Sequence, residues 1–170
     1  YNSDWDAFLL MSRKFRVSKN TTNTVMVDVR QDDGVAFGNL TESKADNYEW
    51  KSLFYFMPES KMDPEDTGRF DEPDDRYQVD VFNRYDLNDD WTWRVKLDAT
   101  SDIDYKDEFV TDIDRSQLEQ SLSYIDLEKM TDHSSLSLSA YGSLNDHDSS
   151  VNRLPELRYD LPNYRLGTSK

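Results

Sequence analysis

The sequence contains no cysteine, few glycines and no long apolar run, and each shortage excludes a class of protein. Without cysteine the chain has no disulfide, no thiolate metal site and no cysteine nucleophile. The five glycines form no dinucleotide fingerprint, no phosphate-binding loop and no Gly-x-Ser-x-Gly elbow. No apolar stretch approaches the roughly 20 residues of a membrane helix, although the strands of a membrane barrel need only about 9–11 alternating residues.

Basic residues are also scarce. Twenty Lys and Arg residues face thirty-five Asp and Glu residues, which gives a formal charge of −15 and a pI near 4.4. Because phosphate binding needs a basic surface, this balance argues against a nucleic-acid partner. The aromatic share is high, with ten Tyr, eight Phe and four Trp, and a disordered acidic tail would lack these residues. The composition therefore indicates a folded, acidic chain.

Alternation of apolar and polar residues with a period of two predicts β-strands along most of the chain. The clearest run is 91–100, where the Trp, Val, Leu and Ala residues share one parity and the charged residues and Thr share the other. Alternation of this length marks half-buried strands rather than helices. The segments with this pattern are 5–17, 24–30, 48–57, 77–85, 91–100, 121–130, 135–144, 156–161 and 164–167.

The connections between these segments predict an up-and-down order. The polar residues of 86–90 and of 131–134 each join two predicted strands within a few residues, as in an antiparallel hairpin. Other connections, such as 58–76, 101–117 and 145–153, are longer. We expect an all-β, antiparallel up-and-down meander, in which 114–120 is the one helical candidate.

The positions of the aromatic residues favour a segment of a large outer-membrane β-barrel. On alternation alone, a soluble β-sandwich or open sheet fits as well. Tyr residues cap both ends of the apolar parity in 77–85, and two Trp residues occupy one end of it in 91–99; such rings favour the level of lipid headgroups. Asn83 falls on the same parity and does not fit. The predicted lipid-facing and girdle residues are Tyr77, Val79, Val81, Tyr85, Trp91, Trp93, Val95 and Leu97, and the predicted lumen-facing residues are Arg94, Lys96 and Asp98.

No group of residues has the spacing of a catalytic or metal site. The loop from Asp63 has Gly68 at its sixth position, but Asp74 stands where a calcium loop needs Glu. His133 and His147 lie in polar segments without metal-ligand spacing. Carboxylates are so numerous that no pair can be assigned as general acid and base. We therefore predict no enzyme, no cofactor and no metal site.

Several short motifs follow one another in a recognisable order. Asp86-Leu87-Asn88 precedes a Trp-led strand, and further upstream Gly34-Val35-Ala36-Phe37-Gly38 precedes an aromatic strand. Downstream come Ser101-Asp102-Ile103-Asp104-Tyr105-Lys106-Asp107-Glu108-Phe109, Leu118-Glu119, the Ser/Leu strand 135–144, and Arg153-Leu154-Pro155-Glu156-Leu157-Arg158-Tyr159-Asp160-Leu161-Pro162. In this order and spacing the sequence resembles the LPS-assembly protein family (LptD), outer-membrane barrels of Gram-negative bacteria.

The resemblance implies a location, a role and partners. Residues 1–170 would be a single unit, a run of consecutive strands from the C-terminal barrel and a fragment of a longer chain. The barrel would lie in the bacterial outer membrane and release lipopolysaccharide into the outer leaflet. Its partners would be lipopolysaccharide, outer-membrane lipid, a plug lipoprotein in the lumen and the periplasmic LPS-transport components. The lack of cysteine departs from family members whose maturation depends on disulfides.

Two other functions stay open at this point. One is a secreted acidic β-sandwich that binds carbohydrate through exposed aromatic residues such as Trp50, Trp91 and Trp93. It requires the Trp-bearing, apolar side of the sheet to form either a dry protein core or a carbohydrate-binding surface. The other is an enzyme such as a glycosidase, which requires two converging carboxylates in a cleft.

Overall fold

The computed structural model describes residues 7–31, 34–58, 75–102, 122–145 and 153–161. These ranges contain nine β-strands. Among them, no helix is long and apolar enough to cross a membrane. The predicted strand 164–167, the helical candidate 114–120 and the loop 63–74 lie outside the described residues. The strands are β1 (Phe8–Arg16), β2 (Thr21–Arg30), β3 (Gly34–Ala45), β4 (Tyr48–Met57), β5 (Arg76–Asp86), β6 (Trp91–Thr100), β7 (Ser123–Thr131), β8 (Ser134–Gly142) and β9 (Arg153–Asp160).

The nine strands form one sheet in the order β1 to β9, and each strand pairs antiparallel with its neighbour in sequence. The all-β meander is therefore confirmed, and so are the hairpins expected at 86–90 and 131–134. In the first of these, the Oδ1 atom of Asn88 accepts hydrogen bonds from the backbone N–H groups of Asp90 (3.0 Å) and Trp91 (3.1 Å). This side-chain cap explains why the polar run makes a tight turn.

Strand β3 was not among the strands predicted from alternation. Its first half alternates clearly, but its second half, from Asn39 to Lys44, has polar side chains on both parities except at Leu40. Prediction from alternation needs a contrast between apolar and polar neighbours. This contrast is missing in the second half of β3, where one side of the strand carries Asn, Thr and Ser and the other carries Glu and Lys. The strand is instead held by backbone pairing with β2 and β4 on its two sides.

All the connections at one end of the strands are short, whereas those at the other end range from three residues in β2–β3 to 22 in β6–β7. The connections β1–β2, β3–β4, β5–β6 and β7–β8 have at most four residues and meet at one end, which we name the turn rim. The connections β4–β5 and β6–β7, at the other end, have 18 and 22 residues. We name that end the loop rim. In the sequence, these two long connections hold 15 of the 35 acidic residues and four basic residues.

The strands are staggered in a regular way. A row of paired residues that begins at Phe15, one residue from the turn rim in β1, reaches Leu97, six residues from the turn rim in β6. The row thus moves about one residue away from the turn rim with each strand. With a rise of ~3.3 Å per residue and a spacing of ~4.8 Å between strands, the strands are tilted by about 35° from the perpendicular to the turn rim. Closed barrels tilt their strands by about 35–45°.

Within the described ranges the sheet has two edges. Strand β1 pairs with β2 alone, and β9 pairs with β8 alone. All residues of β1 are exposed. The ladder between β8 and β9 has a register shift between Ser139 and Tyr141.

A tyrosine packed over a glycine ties three central strands together. A Cβ atom added to Gly38 in β3 would lie 2.7 Å from Cδ2 of Tyr55 in β4. The absent side chain lets the ring cross β3, where the Tyr55 hydroxyl donates a hydrogen bond to the Asp28 carboxylate in β2. Because the contact needs a residue without Cβ, it fixes the choice of glycine at this position.

Candidate functional surfaces

The register places the predicted lipid-side residues on one face of the sheet. Residues of this face align across the strands, as in the rows Phe37-Phe56-Tyr77 and Tyr48-Tyr85-Trp93. We name it the apolar face and the opposite side the charged face. The apolar face contains every predicted lipid-facing and girdle residue: Tyr77, Val79, Val81, Tyr85, Trp91, Trp93, Val95 and Leu97. Their orientation toward lipid remains a prediction.

The apolar face is exposed across the whole width of the sheet. Seventeen of the 24 large hydrophobic residues that are exposed in the described ranges belong to it, from Leu9 and Met11 in β1 to Leu157 and Tyr159 in β9. Leu97 is 40% exposed, Phe37 52% and Leu138 47%. The two hydrophobic residues that are fully buried, Ala36 and Met57, lie on the charged face. Within the described ranges, the apolar face of the sheet is therefore an exposed surface and not a core.

Aromatic side chains on the apolar face gather near the two rims. Near the turn rim lie Tyr48, Trp50, Tyr85, Trp91 and Trp93, and near the loop rim lie Phe37, Phe56 and Tyr77. The Nζ atom of Lys129 lies 5.4 Å from the centre of the Trp91 ring. A cation over an indole suits a level where hydrocarbon meets water.

The charged face carries a polar cleft centred on Arg94. The guanidinium donates hydrogen bonds of 2.7 Å to both Asp126 and Glu128 on the adjacent strand β7. The cleft has a volume of about 470 Å³. Its other lining residues are Tyr124, Ser137, Ser139, Tyr141, Glu156 and Arg158. The predicted lumen-side residues Arg94, Lys96 and Asp98 all lie on this face.

Near the loop rim the charged face becomes buried. Asp98 was expected to face water, but it is only 5% exposed, and its backbone N–H donates to the Ser123 hydroxyl at 2.9 Å. Arg76 is fully buried and bonds Asp102 through both Nε (3.0 Å) and Nη2 (2.6 Å). The bidentate pairing offsets the desolvation of a charged group. In the described ranges, no three His, Asp or Glu side chains are grouped to hold a metal ion.

Polar residues also interrupt the apolar face, and the sequence pattern had found only one of them, Asn83. Its Nδ2 atom donates to the backbone carbonyl of Glu49 at 3.4 Å. Two others are charged, Arg13 on β1 and Lys129 on β7. Those on β2, β3 and β4 are hydrogen-bonded to one another, except Ser52, which accepts from the Trp50 indole. The signal that could have found them is the polar second half of β3, where both parities are hydrophilic.

No family model and no curated protein matches this sequence. Function is therefore inferred from the geometry and chemistry of the two faces of the sheet.

Proposed function

We propose that this chain supplies consecutive strands to the wall of an outer-membrane β-barrel that takes part in lipopolysaccharide assembly. The observation that carries the proposal is the exposed apolar face. At roughly 40–50% exposure, its large side chains present on the order of 1,000 Å² of apolar surface together, whereas the largest patch on a typical soluble monomer is about 300–600 Å². Hydrocarbon is the solvent that such a surface prefers.

The arrangement of connections supports the same proposal. Outer-membrane barrels join their strands by short turns on the periplasmic side and by longer loops on the outside. At the turn rim of this sheet all four connections have at most four residues, whereas at the loop rim three of the four have 10 to 22 residues and β2–β3 has three. The stagger of about one residue per strand matches the tilt that barrel closure requires, about 35–45°. In this proposal the turn rim is periplasmic and the loop rim is external.

The charged face would line the lumen. Its central charges are paired, as between Arg94 and the carboxylates of Asp126 and Glu128, and its cleft is open to water-soluble groups. A lipoprotein plug, as the resemblance implies, would lie against this face. Lipopolysaccharide and the periplasmic LPS-transport components are the further proposed partners, and the resemblance of the motifs supports them.

The alternative of a soluble carbohydrate-binding sandwich needs a second layer over the apolar face. Across the described ranges no such layer covers Phe37 or Leu97, which are 52% and 40% exposed. Trp50 is 38% exposed on this same face, where it pairs with Ser43 and Asn83 and donates its indole N–H to Ser52 at 3.1 Å. The choice between the two functions therefore rests on Phe37 and Leu97. These observations favour contact with lipid.

Tryptophan quenching in bilayers tests the membrane part of the proposal. Trp50, Trp91 and Trp93 all lie on the apolar face, so brominated acyl chains should quench their emission when the full chain is folded into vesicles. The control is a variant in which every Trp is replaced by Phe and Tyr141, on the charged face, becomes Trp. This single Trp should escape quenching. Equal quenching of both proteins would refute the assignment of the two faces.

Photo-crosslinking in living Gram-negative cells tests the lipopolysaccharide part. A photoreactive residue at Ser139, in the cleft of the charged face, or at Leu97, on the apolar face, should give adducts that antibodies to lipopolysaccharide recognise. If phospholipid adducts form at Leu97 but no lipopolysaccharide adduct forms at either position, the barrel remains and the role in lipopolysaccharide assembly is wrong.

A further inference from the structure

Within the described ranges, the largest polar interruption of the apolar face is centred on β3. Counted from the turn rim, the residues of β3 on this face are Ala45, Ser43, Thr41, Asn39, Phe37 and Val35. Polar side chains therefore occupy three successive positions of this face. The run begins at Ser43, two residues from the turn-rim end, and extends to Asn39 at mid-strand.

These polar side chains form a network of two hydrogen-bonded clusters with their neighbours on β2 and β4. The Asn23 amide donates to Asn39 (3.1 Å) and Thr41 (2.8 Å), and the Asn39 amide donates back to Asn23 (3.2 Å). Nearer the rim, the Ser43 hydroxyl bonds Thr21 (2.8 Å) and the Tyr48 hydroxyl (2.9 Å). The two clusters thus follow one another along β3, one at mid-strand and one nearer the turn rim.

The interruption is local. Thr41 and Ser52 each lie four residues from the turn-rim end of their strands. Four other strands from β2 to β8 also have a residue on the apolar face four positions from the turn rim. In each of them this residue is aliphatic: Val25 in β2, Val95 in β6, Leu127 in β7 and Leu138 in β8. The polar positions are therefore specific to β3 and β4 and do not mark a general level of the sheet.

One cation borders the network on the same face. Arg13 of β1 pairs with Val25, which in turn pairs with Asn39. Its guanidinium carbon lies 5.1 Å from the centre of the Phe15 ring. An arginine at this position is expensive against hydrocarbon unless an anion or water reaches it. The five N–H donors of its planar guanidinium match the geometry of a phosphate.

We propose that this polar notch, formed by Arg13, Asn23, Asn39, Thr41 and Ser43, binds the phosphate-bearing headgroup of a phospholipid from the turn-rim leaflet. The inference rests on the proposed function, because it requires the apolar face to contact lipid. Neutral donors and acceptors beside a single arginine suit a phosphodiester with its glycerol oxygens. The headgroup enters from the rim, since the polar residues of this face continue there with Ser43 and Tyr48, which are hydrogen-bonded to each other. Lipid beside β1–β4 is thereby held deeper than lipid beside β5–β8.

Spin-label accessibility tests the notch. Because the chain has no cysteine, a nitroxide can be attached at a single introduced cysteine, either T41C in the notch or V95C at the matched height. The full chain is folded into phosphatidylcholine vesicles containing phosphatidylglycerol. We expect the ratio of nickel-complex to oxygen accessibility to be several-fold higher at Thr41 than at Val95.

Each other outcome has a distinct meaning. Oxygen-rich environments at both positions would refute the notch and leave the membrane wall intact. Nickel access at both positions would refute the wall itself. A label at Thr41 shielded from both reagents would mean that protein, rather than lipid, covers the notch, and the proposal would be wrong.

Substitution of Arg13 tests the phosphate. In R13Q, the preference of the motionally restricted lipid for spin-labelled phosphatidylglycerol over phosphatidylcholine should fall about fivefold. R16Q is the matched control, because it removes the same charge from the same strand on the charged face. An equal effect of the two variants, or displacement of the labelled phosphatidylglycerol by purified lipopolysaccharide, would overturn the assignment to phospholipid.

Discussion

Replacing Val95 by Arg places a charge at the centre of the apolar face and tests the assignment of that face to lipid. Val95 lies four residues from Trp91 at the turn-rim end of β6. With a rise of about 3.3 Å per residue and a tilt of about 35°, this places it ~11 Å from the rim. The apolar band of an outer-membrane barrel is about 25 Å tall, so Val95 lies near its middle.

At that depth, an arginine on the lipid side should destabilise the barrel by about 2–4 kcal/mol, which is a factor of roughly 30–700 in the folding equilibrium. The assay is urea unfolding of the full chain folded in phospholipid vesicles, followed by Trp fluorescence. The midpoint should shift while the slope with denaturant stays constant.

Lys96, the next residue, provides the control. It lies on the charged face, so Lys96→Glu should change the free energy of unfolding by less than about 1 kcal/mol because water solvates either charge. If V95R and K96E are tolerated equally, both faces are in the same solvent. The lipid-facing assignment would then be wrong.

Three further variants test the packing of the sheet by the same urea assay. G38A should destabilise by about 1–3 kcal/mol, because its Cβ would lie 2.7 Å from the Tyr55 ring; an unchanged midpoint would show that the ring does not need the glycine. R76A should cost about 3–5 kcal/mol, because it leaves the Asp102 carboxylate, 11% exposed, without its bidentate partner. R84A is its control, since the Arg84 side chain is 49% exposed, and it should cost less than about 1 kcal/mol; equal losses would mean that the Arg76 pair contributes no more than a surface pair.

Alternation predicted the strands whose two sides differ most in polarity. In β6, Trp, Val and Leu alternate with Arg, Lys and Asp, and the two parities need different solvents whatever the tertiary structure. The same contrast gave β5 and the hairpin between them. It failed in the second half of β3, where Asn, Thr and Ser share the chain with Glu and Lys. That segment is a strand because the adjacent strands β2 and β4 provide backbone hydrogen-bond partners. Such pairing cannot be detected in the local amino-acid composition.

The contacts of the charged face could not be read from the sequence. Arg94 was expected to face the lumen, but its partners Asp126 and Glu128 lie on β7, beyond a connection of 22 residues. A long connection leaves the register between β6 and β7 free, so the pairing of charges across it depends on tertiary structure. The burial of Asp98 has the same origin, since Ser123 of β7 bonds its backbone.

The two free margins of the sheet are chemically unlike, and this affects how the sheet can grow. Strand β1 offers a backbone without proline along nine exposed residues, with Arg13, Lys14 and Arg16 among them. Strand β9 contains Pro155, which has no N–H to donate, and its ladder with β8 is irregular nearby. An incoming strand therefore finds a complete template at one margin and an interrupted one at the other. Annealing of further strands, and equally the unwanted joining of two copies, should begin at β1.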